Sequence, residues 1–326
     1  MNTIKWGIIG CGDVAERKSG PAFQQIEGSE LLAVMRRNGA KAKDFAERHG
    51  VPEWYDQAEA ILNHSEINAV YIATPPSSHK DLAIRALEAG KHVYLEKPMA
   101  LSQQEAKEIV EHLTPHGPKL TVAHYRRQLP AFLKVKALLA EKAIGEVRFA
   151  DIQIIQPAKS DLIAASEENW RVNPDISGGG LFHDLAPHQI DLMYQYFGPY
   201  EQVMGIAENQ AGLNAADDIV SGMIAFESGV QFRGIWCFNA FEADQQDLCT
   251  IYGSEGSISF GFFGDRVLCR NKGRVEEFTF EHPPHIQHPM IESTVRYFQG
   301  KGPNPCSAEE GLVVMEIMDG FTLAAD

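Results

Sequence analysis

Cysteine is scarce in this 326-residue chain: Cys11, Cys237, Cys249, Cys269 and Cys306 are odd in number and widely spaced. That argues against a disulfide framework and fits free thiols in a reducing compartment. No CxxC pair signals zinc, so no resident metal is expected. Cations are also in deficit, with 29 Lys and Arg against 44 Asp and Glu and a formal charge of −15. A nucleic-acid partner, which requires a basic surface, is therefore not expected. No segment approaches the roughly 18 consecutive apolar residues of a spanning helix, so no membrane partner is expected either. The opening MNTIKWGIIGCGDVA lacks the basic flank and cleavage site of a signal peptide, and a cytoplasmic location is the expectation. Internal repeats and low-complexity linkers are absent.

What is present suits a globular protein of two domains, with 44% hydrophobic and 22% charged residues. Up to about residue 122, short apolar runs alternate with segments of helical period, the pattern of a parallel sheet covered by helices. The predicted strands are 5–9, 30–35, 69–73, 92–95 and 120–123, and the predicted helices are 40–49, 57–62, 78–89 and 103–113. Ser102 and Glu105 form a capping box for the last helix. Pro21 should interrupt the first crossover and start a second segment. A helix over 131–141 follows.

The pattern then changes to VRFADIQII, DIVSGMIAF, GVQFRGIWCF and GSISFGFF, alternating runs separated by glycines, which read as antiparallel strands with one covered face. Phe232, Ile235 and Trp236 are expected to make the other face less polar than a solvent surface. A last helix begins at a second capping box, Ser307 and Glu310. The expected fold is an α/β Rossmann domain over 1–123 plus an α+β domain over 124–326 with an open, mostly antiparallel sheet. The terminal helix is the element placed to return to the first domain.

GIIGCGDVA presents Gly10, Gly12 and Ala15 as GxGxxG/A between a strand and a helix. The first glycine permits the tight turn, the second lets backbone approach a pyrophosphate, and the alanine lets helix and strand pack closely. The loop residues Cys11, Asp13 and Val14 join them as cofactor-binding candidates, the first turn of the helix offering N–H groups to an anion. Where an Asp or Glu would receive the ribose 2′-hydroxyl of NAD, LLAVMRRN supplies Arg36 and Arg37. Paired arginines there are either a solvated basic turn or a 2′-phosphate site; the second reading makes NADP the expected cofactor, with NAD as the alternative.

YLEKPMA puts Lys97 at the carboxyl edge of the sheet, where open α/β folds bind ligands. GGGLFHDLAPHQID spaces Asp184, His188 and Asp191 so that a helix aligns them on one face. Pro187 restricts that helix to a start near 184–186. By spacing alone, Asp184 reads as a helix cap and His188 as a satisfied core histidine.

Together, GIIGCGDVA, ATPPSSH, EKP, NWRVNPDISGGG, GGGLFHDLAPHQID and IYGSEGSI resemble, in order along the chain, the glucose-fructose oxidoreductase and inositol dehydrogenase family, Gfo/Idh/MocA. The resemblance implies hydride transfer between a nicotinamide and the secondary alcohol or carbonyl of a small-molecule substrate such as a sugar, cyclitol or related diol. It implies that Lys97, in a cis Lys97–Pro98 peptide, touches nicotinamide and substrate. His188 then corresponds to the general base and Asp184 to its acidic partner or a substrate contact. It also implies that Thr74, Pro75, Pro76 and His79 lie under the cofactor, with Glu96 beside the ribose and Trp170 and Arg171 near the nicotinamide end.

Tyr125, Arg126 and Arg127, just after the last Rossmann strand, are substrate candidates, with a surface ion pair as the alternative for each arginine. His183 stands where the family pattern has an apolar residue and is a second candidate base. The three histidines of HPPHIQHP lack metal spacing and read as a loop. Two other functions fit the resemblance: reduction of a dihydrodiol or biliverdin-like ligand, and non-catalytic regulation by dinucleotide binding. A homodimer or homotetramer through the sheet domain is expected.

Overall fold

Six short strands, β1 (Ile4–Ile9), β2 (Ser29–Met35), β3 (Glu53–Tyr55), β4 (Ala69–Ile72), β5 (His92–Leu95) and β6 (Leu120–Val122), build an all-parallel sheet. Its order is β3-β2-β1-β4-β5-β6 in the computed structural model, which describes residues 3–160 and 169–323. β1 and β4 are neighbours at which the strand order reverses, so their carboxyl ends open on the crevice where doubly wound sheets bind ligands. Five strands follow the hydrophobic runs. β3, three residues paired with the edge of β2, is too short to announce itself.

The chain divides into two units, 1–126 with 283–313, and 127–282 with 314–326. The first includes 283–307, which hydrophobic patterning placed in the second domain, and the start of the terminal helix, the element expected to return. Its reason is the core: Phe298, on helix His288–Phe298, packs against Trp6, which meets Phe23, itself against Tyr71. Helix Ala308–Thr322 begins on the predicted box, with Ser307 N donating to Glu310 Oε2 and Glu310 N to Ser307 Oγ. Gly311 of its first turn lies against Val122 and Met99. The first crossover is a π segment, Ala15–Ser19, followed by a 3₁₀ segment, Gly20–Gln24, that carries Pro21.

The second unit holds β7 (Val147–Ile155), β8 (Tyr200–Glu208), β9 (Ile219–Phe226), β10 (Gln231–Cys237), β11 (Gln246–Gly253), β12 (Gly256–Phe260), β13 (Arg266–Asn271) and β14 (Arg274–Thr279). They form one sheet in the order β14-β13-β12-β11-β7-β10-β9-β8, antiparallel except for the β7–β10 pair. Gly205, Gly222 and Gly234 are register neighbours on β8, β9 and β10. A Cβ on Gly205 would stand 2.5 Å from the Phe321 Cα, and one on Gly222 would strike the Phe321 ring. Gly205 and Gly222 therefore make a seat for the end of the terminal helix, while Gly234 leaves room for the rings of Trp236 and Phe232.

Strand alternation corrects one expectation. Phe232 and Trp236 share the inner face, where Trp236 packs on Phe182 and Phe321, and only Ile235 is on the outer face. That outer face is nevertheless apolar, through Met204, Ile206, Met223, Leu248 and Tyr252, all exposed, and it carries a groove of about 440 Å³.

Candidate functional site

The turn after β1 has the geometry that its glycines require. Gly10 has φ +99°, and a Cβ there would lie 2.8 Å from the backbone of Ala73 and Thr74. The N–H groups of Gly10 and Cys11 both donate to the Met35 carbonyl at the end of β2, at 2.9 and 3.1 Å. A Cβ on Gly12 would meet nothing within 4 Å, which leaves open the side from which a pyrophosphate approaches backbone. Ala15 is fully buried, as close packing demands. Burial pushes the Cys11 thiol up to about 11, so it stays protonated.

A cleft of about 310 Å³ opens beside this turn, lined by Cys11, Gly12 and Asp13, with Arg36 and Lys41 among the other walls. Arg48, also on its wall, is held by Glu16 and Asp44, and its guanidinium with His49 lowers the Glu16 carboxyl to about 2. Arg36 lines the cleft, whereas Arg37 is exposed and is not among the cleft's walls. Lys41, unnoticed in the sequence, stands in the first turn of helix Gly39–His49, behind its Asn38 cap. An open glycine turn with two cations at the β2 end fits the adenosine side of a dinucleotide.

At the ends of β4 and β5 lie two further loops of the first unit. Thr74, Pro75 and Pro76 enter a 3₁₀ turn in which Ser78 Oγ donates to Thr74 Oγ1. His79 is completely enclosed, with Nδ1 2.9 Å from the Pro98 carbonyl and Nε2 2.8 Å from the Thr74 carbonyl. Both polar atoms of the ring are spent on backbone, so it supports the loops and is no direct cofactor contact.

Glu96 is likewise not laid open for a ribose. It is buried, and its Oε1 accepts from Tyr71 (2.5 Å) and from Gln287 (2.6 Å), while Gln287 Oε1 accepts from Tyr94. Gln287 belongs to HPPHIQHP, whose histidines drew attention while its one buried amide gave no signal. Lys97 follows, half-buried, in a cis peptide with Pro98. Tyr125 and Arg126 are buried, stacked at 5.4 Å; nearby Arg126, Lys18 and Lys97 lower the Tyr125 phenol against the opposing effect of burial.

In the second unit, helix Leu181–Phe197 starts earlier than the 184–186 expected from Pro187. Pro187 lies inside it, the helix forgoing the bond from residue 187 to the His183 carbonyl. Asp184 pairs with Arg171 Nε at 3.1 Å, and Arg171 lies 4.4 Å over Trp170, so the tryptophan–arginine pair braces this helix's first turn. His188 is buried. Arg127 is no surface group: with Nε and Nη2 it grips Asp191 at 2.7 to 3.0 Å, both side chains almost wholly enclosed. The His183 ring lies against Gly179, which has no room for a Cβ, and burial lowers its pKa to about 4. A ring so hard to protonate is a poor proton acceptor.

Comparison with known proteins supplies what local geometry does not. The profile GFO_IDH_MocA, described as an oxidoreductase family with an NAD-binding Rossmann fold, matches residues 4–124, and the GFO/IDH/MocA C-terminal domain matches residues 132–259. "Oxidoreductase P35" of Formosa agariphila is 54% identical over 320 residues, 98% of each chain. A levoglucosan dehydrogenase solved with NADH and levoglucosan superposes with a TM-score of 0.85 at 24% identity, over 98% of this chain and 96% of that one. Biliverdin reductase of Synechocystis sp. PCC 6803, solved with biliverdin and NADP+, gives 0.80 at 23% identity and 97% of each chain. Among the described residues no helix is long and apolar enough to cross a membrane. The matched profiles, in chain order over most of its length, show that this protein belongs to the Gfo/Idh/MocA family of NAD(P)-binding oxidoreductases.

Proposed function

We propose that the protein is an NADP(H)-preferring dehydrogenase or reductase acting on a secondary alcohol, or its carbonyl, in a sugar, cyclitol or related diol. The observation that carries the cofactor preference is Arg36 with Lys41 on the wall of the cleft at the end of β2, where an NAD site would place a carboxylate. The substrate class draws support from the levoglucosan dehydrogenase neighbour. When bound, the nicotinamide accepts or supplies the hydride. The tight turn at Gly10 and the open side of Gly12 let the cofactor's phosphate end approach the backbone at Asp13 and Val14, and Arg36 and Lys41 neutralise the 2′-phosphate. Lys97 donates a hydrogen bond to the reacting oxygen, and His188 takes or returns its proton. Asp184, fixed by Arg171, orients the substrate side of that helix. The outer face of the eight-stranded sheet supports a homodimer or homotetramer.

The test is titration with NADPH and NADH, followed by turnover on a panel of polyols and aldoses. NADPH should bind more tightly, and Arg36→Ala should weaken NADPH about tenfold or more, the worth of one charge-assisted contact, while sparing NADH. His188→Asn should lower kcat by roughly 10²–10⁴-fold with cofactor affinity unchanged. Equal affinities for the two nucleotides, or near-normal turnover in His188→Asn, would reject the respective assignment.

A further inference from the structure

Each ring nitrogen of His79 faces an atom that can only accept, the carbonyl oxygens of Pro98 and Thr74 at 2.9 and 2.8 Å. A bond to a carbonyl needs an N–H, and a neutral imidazole carries one. Both contacts are hydrogen bonds together only in the imidazolium. In a neutral ring, the bare nitrogen turns its lone pair on a carbonyl oxygen, and that contact opens. The ring is completely enclosed, so no water is at hand to relieve the mismatch.

The two carbonyls belong to different loops. Thr74 follows β4, and Pro98 follows β5 and is bonded to Lys97, the strands being paired neighbours in the sheet. We propose that His79 is a positioning residue that ties the Thr74 turn to the Lys97–Pro98 loop, holding both when doubly protonated and releasing one when neutral. It acts through Lys97 and the Thr74 turn, not on a ligand. The charged groups that act on the ring are Glu96, which favours its protonation, and Lys97, which opposes it. Burial opposes it most strongly and lowers the pKa below the ordinary value of 6.5, against the pull of the two carbonyls. The double tie is thus complete in acid and is lost as pH rises through the titration of this ring. Two loops held in one geometry lower the ordering needed to receive a ligand, so nucleotide binding weakens with the same titration.

The nucleotide arm of the test rests on the nicotinamide-cofactor reading; the spectroscopic arm does not. In the whole chain labelled with ¹⁵N-histidine, the His79 signals, assigned by their loss in His79→Gln, should show both ring nitrogens protonated at the acid end and one at the other. A single neutral tautomer from about pH 5 to about pH 8 overturns the proposal. NADH, which lacks a titrating 2′-phosphate, is the binding probe: the wild type should bind it roughly three- to tenfold more tightly on the acid side, the worth of one hydrogen bond, whereas His79→Gln stays flat. His79→Asn replaces His79→Gln should the latter not fold. Parallel pH curves for wild type and variant overturn the positioning role. Failure of every form to bind NADH or NADPH instead overturns the cofactor reading, and the ring's protonation then decides the proposal alone.

Discussion

Removing the Asp191 carboxylate should be among the most damaging single changes in the second unit. Arg127 and Asp191 have side chains 2% and 0% exposed, and three bonds of 2.7 to 3.0 Å join them. In Asp191→Ala the guanidinium remains buried and loses the carboxylate that it grips, a defect that costs about 3–5 kcal/mol. At 1.4 kcal/mol per tenfold, that is a factor of roughly 10²–10³·⁵ in the folding equilibrium. Against the 5–15 kcal/mol typical of whole proteins, such a loss removes a large fraction of the stability. Urea denaturation followed by circular dichroism measures it. The double change Arg127→Met with Asp191→Leu should recover most of the loss, because apolar residues of similar volume carry no desolvation penalty. A cost below about 1 kcal/mol for Asp191→Ala, the range of exposed pairs, would refute the reasoning, as would a double variant no better than the single one.

Gly205→Ala sets a Cβ 2.5 Å from the Phe321 backbone, a clash that no rotamer relieves, and should destabilise by about 1–3 kcal/mol in thermal unfolding; a neutral result would mean that the terminal helix is not seated there. His183 gives an acid signature: its pKa falls from 6.5 to about 4 in the fold, so its neutral ring contributes stability that is full above 6.5 and lost as pH falls towards 4, about 3 kcal/mol in all. His183→Gln should flatten the stability profile over that window, and an unchanged slope would exclude this origin. Ile206→Glu or Met223→Glu, on the apolar outer face of the sheet, should lower the mass seen by light scattering towards that of one chain, whereas a wild-type protein already monomeric would remove the proposed assembly.

How much of this was legible in the sequence divides along the reach of the interactions. Alternation of apolar runs announced five of the six Rossmann strands, since period and burial are local properties of a strand. Ser307 and Glu310 announced the terminal helix because a capping box closes over three residues. The glycine turn was readable for the same reason: the positive φ of Gly10 and the open side of Gly12 are demands of a nine-residue motif. Only the tertiary structure decided the partners. Arg127 chose Asp191 across 64 residues, and Glu96 was enclosed by Gln287 across 191. No periodicity encodes a choice between residues so far apart, because it is made by which faces the packed elements bring together. The same holds for the start of helix Leu181–Phe197, which runs through Pro187 where local chemistry argued for a later beginning, and for the inward turn of Phe232 and Trp236. Motifs of a few residues carried the nucleotide chemistry, whereas the burial, pairing and protonation of the side chains around it came from contacts that exist only once the chain has folded.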